Sequence, residues 1–229
     1  MASSAIPHLQ RQTSAGGRQV LRGPALLAPG QLLSRTYALG RAFYQRPTVE
    51  VARELLGKIL VHRAAGRTLA GRIVETEAYL GQADQAAHTA RGLTKRTQVI
   101  FGPPGHAYVY LCYGMYECLN LVAEPDGVPG CVLSRALEPL CGLDEMQRRR
   151  PKARRFPRDL ASGPGKLTQA MGITREHNGA DITRGAFSVR SPRRHEPFDT
   201  VTTTRVGIQA SADLPLRFYI RGNEYVSVP

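Results

Sequence analysis

The stretch Gly71-Arg-Ile-Val-Glu-Thr-Glu-Ala-Tyr79 decides how the rest of the sequence is interpreted. Successive side chains of a β-strand point to opposite faces of the sheet. In a strand, Glu75, Glu77 and Tyr79 therefore share one face, and the residues between them pack on the other. Two carboxylates and a phenol on one face indicate a binding or catalytic site. The alternative is an exposed strand face with two solvated glutamates, and this stretch alone does not separate the two.

The flanking segments place this strand in a mixed fold. Residues 59–61 and 68–79 have strand composition and are joined around Ala65-Gly66, which predicts a hairpin. Thr48 is predicted to cap a helix that ends at Gly57. Further helices are predicted over residues 142–150 and from Pro164 to Gly172, and further strands over residues 107–111, 118–123, 131–135, 205–208 and 216–221. Many strands with few intervening helices are typical of an α+β domain with a largely antiparallel, curved sheet and peripheral helices.

The charge balance indicates the kind of partner. The 229 residues include 31 Lys and Arg against 18 Asp and Glu, a net charge of +13 with a pI near 10.2. Such a surplus is typical of proteins that bind polyanions, and nucleic acid is the first candidate. The sequence contains no long apolar run and no basic amphipathic helix, so a membrane partner is not expected. The four cysteines show no CxxC or zinc-finger spacing, so they indicate neither a metal site nor a disulfide framework, and buried thiols in a reducing compartment are expected. No cofactor is expected.

The first 36 residues differ in composition from the rest. They contain four arginines, several Ser, Gly and Pro, and no acidic residue, which is poor material for a packed core. We therefore expect a disordered basic tail over residues 1–36, followed by one compact domain over residues 37–229. The same composition also suits an organellar transit peptide, a flexible DNA-contacting arm or an overlong translation start.

Aromatic residues cluster in one part of the chain. Tyr108, Tyr110, Tyr113 and Tyr116 fall within nine positions. They could be half-buried strand residues, because aromatic side chains favour pleated surfaces. Gly114 next to Tyr113, however, predicts a tight turn that projects an aromatic side chain outward, a geometry used for base stacking.

Two basic features follow the tyrosines. A block of cations extends from Arg148 to Arg158, and its agreement with the global charge favours phosphate contact over a merely solvated surface. The stretch Ser162-Gly-Pro-Gly-Lys-Leu167 predicts a helix start, and Lys166 beside a helix N-terminus is a candidate phosphate contact. The GxxxxGK[ST] spacing of a Walker A loop is absent.

Several motifs in one order make the chain resemble the alkyladenine (3-methyladenine) DNA glycosylase family over about residues 36–229. The motifs are Arg72-Ile-Val-Glu-Thr-Glu-Ala-Tyr-Leu-Gly81, Ala86-Ala-His88, Tyr108-Val-Tyr110, Tyr113-Gly-Met-Tyr116, Asn120, Leu133-Ser-Arg-Ala-Leu-Glu-Pro-Leu140, Ser162-Gly-Pro-Gly-Lys-Leu167 and Leu216-Arg-Phe-Tyr-Ile-Arg-Gly222.

The resemblance implies a catalytic site. Glu77 would be the general base that deprotonates a water, Glu75 its supporting neighbour, and Arg135 the group that positions the water or the sugar-phosphate. The damaged base would lie between aromatic and His side chains and beside an amide that crowds out the guanine amino group. These base-binding residues are Tyr79, His88, Tyr110 and Asn120. Without the resemblance, the sequence around His88 favours an ordinary surface histidine in a loop.

The resemblance also implies a DNA-binding surface. Tyr113 would be the wedge that fills the gap left by the extruded base. Backbone contacts are expected from Met115, Tyr116, Thr94, Arg96 and Lys166. The loop between His88 and Pro104 departs from the family pattern, and Glu117 is an acidic residue that the pattern does not require.

We therefore expect a monofunctional DNA glycosylase of base excision repair. It would release alkylated purines from damaged double-stranded DNA. Whether it also releases deaminated and etheno purines is left open, because these neutral leaving groups need protonation and no dedicated acid is evident in the sequence. The alternatives are a bifunctional glycosylase/lyase with Lys166 as nucleophile and a non-catalytic nucleic-acid-binding protein. A monomer is expected, located in the cytoplasm with the nucleoid in a bacterium, or in the nucleus or an organelle in a eukaryote.

Overall fold

The computed structural model describes residues 26–228. Its strands are β1 (Thr36–Ala38), β2 (Ile59–Ala64), β3 (Arg67–Tyr79), β4 (Ala107–Cys112), β5 (Tyr116–Val122), β6 (Cys131–Cys141), β7 (Phe187–Pro192), β8 (Thr200–Thr203) and β9 (Arg217–Ile220). The α-helices are α1 (Pro29–Ser34), α2 (Arg41–Tyr44), α3 (Thr48–Glu54), α4 (Leu143–Arg149) and α5 (Pro164–Met171). Short 3-10 helices cover Gly81–Ala83, His88–Arg91, Arg158–Leu160 and Arg175–His177.

All nine strands form one sheet in which every pairing is antiparallel. The main path runs β1-β7-β2-β3-β6-β5-β4, and β9 joins β3 and β8 outside this path. The 13-residue strand β3 is the centre of the sheet. One edge of β3 pairs with β2 and then, at Glu75–Glu77, with β9, while its other edge pairs with β6. The predicted α+β fold with an antiparallel sheet is confirmed.

Both faces of β3 are buried, which explains why the glutamate strand is not a solvated surface. Val74 and Ala78 lie in the main hydrophobic core, together with residues of α3 and α5. Between them, the hydroxyl of Thr76 donates a 2.8 Å hydrogen bond to the Ala52 carbonyl of α3. Glu75 and Glu77 point to the other side and are fully buried as well. The alternative of two solvated glutamates is therefore wrong.

Local expectations are confirmed at most elements. The β2–β3 hairpin turns at Ala65 and Gly66, both with positive φ. The helix after Pro47 exists, but Thr48 is its first helical residue and not its cap. Instead, the Glu124 carboxylate accepts hydrogen bonds from the Thr48 amide at 2.6 Å and hydroxyl at 2.8 Å. A distant side chain therefore satisfies the helix start, which local sequence cannot show.

Two other expectations are wrong. Residues 205–208 do not form a strand, because the Arg205 side chain and the Val206 amide bind buried carboxylates instead of a neighbouring strand. The folded domain also begins before residue 37, since α1 and β1 lie within residues 26–38 and β1 pairs with β7. Leu32 is fully buried there and packs against apolar residues of β2 and β6. The polar and basic composition of residues 1–36 gave no sign that Leu32 would be buried. Residues 1–25, the rest of the predicted tail, lie outside the described part of the chain.

Candidate active site

A cavity of about 510 Å³ opens where the end of β3, the β4–β5 hairpin, the loop after β3 and residues 206–208 meet. This volume suits a small organic ligand of purine size. The structure brings most of the sequence-predicted site residues together on its walls. These are Tyr79, His88, Arg96, Tyr110, Tyr113, Asn120 and Arg135.

Glu77 lies fully buried beside this cavity. Its Oε1 accepts a 2.8 Å hydrogen bond from the Val206 amide and lies 3.2 Å from Nη1 of Arg135. Its Oε2 accepts a 3.0 Å hydrogen bond from the Tyr79 hydroxyl. The three residues that bind the carboxylate all line the cavity. The donors and the Arg135 cation compensate the burial of a negative charge, which is otherwise costly.

Glu75 occupies a separate, structural position. Its Oε1 accepts hydrogen bonds from Nε of Arg135 at 3.1 Å and from Nη1 of Arg217 at 2.8 Å, and its Oε2 accepts one from the Ser227 amide at 2.7 Å. Two buried glutamates thus face two buried arginines. Burial works against the charge of Arg135, but Glu77 and Glu75 hold its pKa above the usual value. Glu75 therefore fixes Arg135, and Arg135 in turn reaches Glu77.

His88 and two tyrosines form one wall of the cavity. The rings of His88 and Tyr110 lie edge to face with centroids 4.5 Å apart, and Nδ1 of His88 lies 3.0 Å from the Tyr108 hydroxyl. Burial and the Arg96 cation lower the pKa of His88 to about 4. The imidazole is therefore neutral at pH 7, although part of the residue remains exposed.

Tyr79 is another aromatic residue of the cavity wall, and an arginine supports it. The guanidinium of Arg205 lies 4.7 Å from the centre of the Tyr79 ring. Arg205 also pairs with Asp84, with 2.8 Å between Nη2 and Oδ1, and both side chains are buried. Burial and the Glu77 carboxylate raise the pKa of Tyr79, which keeps the phenol protonated as a donor. Sequence reasoning missed the Arg205–Asp84 pair, because 121 positions separate the two residues.

Asn120 is held in one orientation at the cavity wall. Its Nδ2 donates to the Tyr108 carbonyl over 3.4 Å, and its Oδ1 lies 3.9 Å from the Cys131 sulfur. Burial raises the pKa of the Cys131 thiol to about 12, with a further contribution from Asp84, so the thiol keeps its proton and can donate. Cys131 was expected to be only a buried thiol, and its contact with Asn120 had no signal in the sequence.

The turn between β4 and β5 projects three large side chains into solvent. Tyr113 is 82% exposed, Met115 68% and Tyr116 53%. Tyr113 has φ of 50°, a left-handed conformation that costs a non-glycine residue about 1 to 2 kcal/mol. Gly114 follows with φ of 69°, and the Met115 amide closes the turn on the Cys112 carbonyl at 3.1 Å. The tight turn expected from Gly114 is confirmed.

The remaining predicted DNA contacts differ in their relation to the cavity, which Arg96 lines and Thr94 and Lys166 do not. Arg96 turns toward the cavity, where its Nε donates to the Tyr108 hydroxyl over 3.3 Å and its guanidinium covers the Tyr110 ring. Thr94 is exposed, and its amide donates to the Thr97 hydroxyl at 2.8 Å. Lys166 lies in the first turn of α5, and the cavity wall includes Pro164 of this helix but not Lys166. Their roles as backbone contacts stay predictions.

Between residues 26 and 228, no group of three or more His, Cys, Asp or Glu side chains is arranged to hold a metal ion. No helix within the same range has the length and apolar character needed to cross a membrane.

Enzymes that act on a base within duplex DNA hold it in a pocket between aromatic or apolar side chains, and the aromatic cavity beside Glu77 is compatible with that class of protein. The family model for methylpurine-DNA glycosylase (MPG) matches residues 42–224. The chain therefore belongs to the methylpurine-DNA glycosylase family, and it is a DNA repair enzyme of the DNA glycosylase class, which hydrolyses N-glycosidic bonds.

Proteins of three microorganisms are similar to this chain, and each is named as a proposed 3-methyladenine DNA glycosylase. The protein of Methanoculleus marisnigri is 56% identical over 192 residues, covering 82% of this chain and 98% of its own. That of Alkaliphilus oremlandii is 46% identical over 199 residues, covering 82% and 98%. That of Burkholderia cenocepacia is 50% identical over 189 residues, covering 82% and 89%.

Proposed function

We propose that this protein is a monofunctional glycosylase that extrudes alkylated purines from duplex DNA and releases them with a water activated by Glu77. One observation carries the proposal: the buried Glu77 carboxylate is bound by three residues that all line the aromatic cavity. A base held in that cavity has its sugar close to a single positioned carboxylate. The family membership supports the substrate class.

In the proposed reaction, Glu77 accepts a proton from a water whose oxygen bonds to C1′ of the sugar. The C1′–N bond breaks, and its electron pair neutralises the cationic leaving base. The sugar develops positive charge as this bond stretches, and the Glu77 carboxylate also stabilises that charge. Arg135, held by Glu75, orients Glu77 through the 3.2 Å contact between its Nη1 and Oε1.

The cavity suits a cationic purine. The π-faces of Tyr79 and Tyr110 attract a positively charged ring. His88 is neutral at pH 7, with a pKa near 4, so it adds no charge to those of Arg96 and Arg135 on the cavity wall. Asn120 is fixed by Tyr108 and Cys131 and is proposed to crowd the amino group of an undamaged guanine.

The exposed turn suits the duplex. Extruding a base costs a few kcal/mol of stacking and pairing. We propose that Tyr113 enters the gap and restores part of this stacking, while Met115 and Tyr116 contact the adjacent backbone. The strain at Tyr113 agrees with this role, because backbone strain of this kind clusters at functional sites. One chain supplies all of these groups, and we propose that the enzyme acts as a monomer.

The assay that tests this proposal measures free purine released from methylated duplex DNA, with strand scission as a second readout. Release without scission is expected. If the protein also cuts the strand, and Lys166→Gln abolishes this scission, the result would instead favour a lyase. If no purine is released, the result would favour a non-catalytic nucleic-acid-binding protein. The position of Lys166 outside the cavity wall argues against the lyase.

A further inference from the structure

The cations of residues 148–158, here called the basic segment, fall into two groups. Arg148 and Arg149 both pair with Glu145, and Arg155 pairs with Asp159. Within residues 26–228, four others have no carboxylate within ion-pair distance, namely Arg150, Lys152, Arg154 and Arg158. Residues 1–25 contain no acidic side chain that could pair with them. The basic segment therefore carries a local excess of uncompensated positive charge.

This charge continues the surface that begins at the β4–β5 turn. The turn contacts α5 directly, because Gly165 lies so close to Tyr116 that a side chain at Gly165 would meet the Tyr116 Cβ at 2.8 Å. One turn further along the same side of α5, Nη1 of Arg150 donates to Oε1 of Gln169 over 2.7 Å. Helix α5 thus joins the exposed tyrosines to the basic segment.

The composition of the segment's exposed surface also suits a nucleic-acid backbone. Lys152 and Arg154 are exposed, and Phe156, which follows the paired Arg155, is 54% exposed. A cation without a protein partner can neutralise a phosphate directly and release its counterions. A cation such as Arg148 must first give up its carboxylate partner, so its contribution to DNA affinity is smaller.

We propose that the basic segment binds the phosphates of duplex DNA on one side of the lesion, through Lys152, Arg154 and Arg158. The inference rests on the proposed function, since it extends the same interface beyond Tyr116. In this proposal the basic segment increases affinity for the duplex that flanks the lesion. It does not act in the release of the base, because it contributes no residue to the cavity wall.

A matched pair of variants tests the proposal. Lys152→Ala/Arg154→Ala removes two exposed cations that lack carboxylate partners, whereas Arg148→Ala/Arg184→Ala removes two exposed cations that pair with Glu145 and Asp181. The net charge falls equally in both. For an undamaged duplex, the slope of log K against log salt should flatten by about 1.8 in the first variant, or about 0.9 per phosphate contact, and by under about 0.5 in the second. Equal slopes in the two variants would overturn the proposal.

Two further measurements separate this inference from the proposed function. The single-turnover release rate at saturating Lys152→Ala/Arg154→Ala enzyme should stay within about twofold of wild type, and a tenfold loss would contradict the assignment to binding alone. Duplexes with a lesion near either end locate the contact, since the variant should lose affinity for only one of them. An equal loss on both would reject one-sided binding. If the wild type released no purine, the proposed function would fail, while the slopes would still test the surface.

Discussion

The Tyr79 hydroxyl donates a 3.0 Å hydrogen bond to Oε2 of Glu77, two positions earlier on the same strand face. This contact links the residue proposed to stack on the base to the residue proposed to activate water. Binding of the base and orientation of the carboxylate are therefore coupled through one side chain.

Replacement of Tyr79 by Phe separates these two roles. The ring and its contact with Arg205 remain, but Glu77 loses one of its donors. A hydrogen bond to a charged group contributes about 1.5 to 3 kcal/mol, so single-turnover release should fall by at least about tenfold with lesion binding unchanged. Tyr79→Ser should lose binding as well. A Tyr79→Phe enzyme as fast as wild type would show that the hydroxyl does not orient Glu77.

Glu75→Gln should affect stability more than chemistry. The substitution leaves Arg135 and Arg217 buried without their shared carboxylate charge, and breaking a buried ion pair costs about 3 to 5 kcal/mol. Denaturant unfolding should show this loss, while purine release by the folded fraction should fall less than in Glu77→Gln. If Glu75→Gln is stable and the slower of the two, the roles of the glutamates are reversed.

Tyr113→Ser distinguishes an inserted wedge from a structural tyrosine. Because Tyr113 is 82% exposed, its loss should leave the melting temperature nearly unchanged. Base–aromatic stacking is worth about 1 to 3 kcal/mol, so affinity for a lesion duplex should drop by about one to two orders of magnitude. Release from single-stranded DNA, which leaves no gap to fill, should suffer less. A lowered melting temperature without a duplex-specific defect would end the wedge assignment.

His88 predicts a dependence of stability on pH. Its pKa falls from about 6.5 in the unfolded chain to about 4 in the folded protein, so the folded state binds fewer protons between these values. Stability from this residue is complete above about pH 6.5 and decreases as the pH falls toward 4. Urea unfolding at pH 7 and pH 5 should show a smaller loss in His88→Gln, which does not titrate. Identical losses would mean that His88 is not held neutral by the fold.

The sequence predicted those parts of the fold and site that depend on local patterns. Strand alternation placed Glu75, Glu77 and Tyr79 on one face, and Gly114 indicated the turn that exposes Tyr113. The sequence could not show contacts made by residues far apart in the chain. Arg205 supports Tyr79, Glu124 caps α3, and Arg217 joins Glu75, each across a long sequence separation.

Composition alone did not predict which residues of the two basic regions are buried or paired. Residues 1–36 lack acidic groups, yet Leu32 is buried and β1 joins the sheet. The basic segment appeared uniform in sequence, whereas Glu145 and Asp159 neutralise three of its cations. Which cations remain available to phosphate depends on tertiary contacts that the sequence does not specify.

The most direct measurement of the central claim is single-turnover release of a methylated purine from duplex DNA by Glu77→Gln, with lesion affinity measured beside it. The amide keeps the size of Glu77 but cannot accept the proton of the attacking water. Loss of a positioned general base typically lowers the rate by about 100-fold or more, and affinity should persist because the cavity walls are intact. A release rate within a fewfold of wild type, with affinity unchanged, would contradict the assignment of Glu77 as the catalytic base.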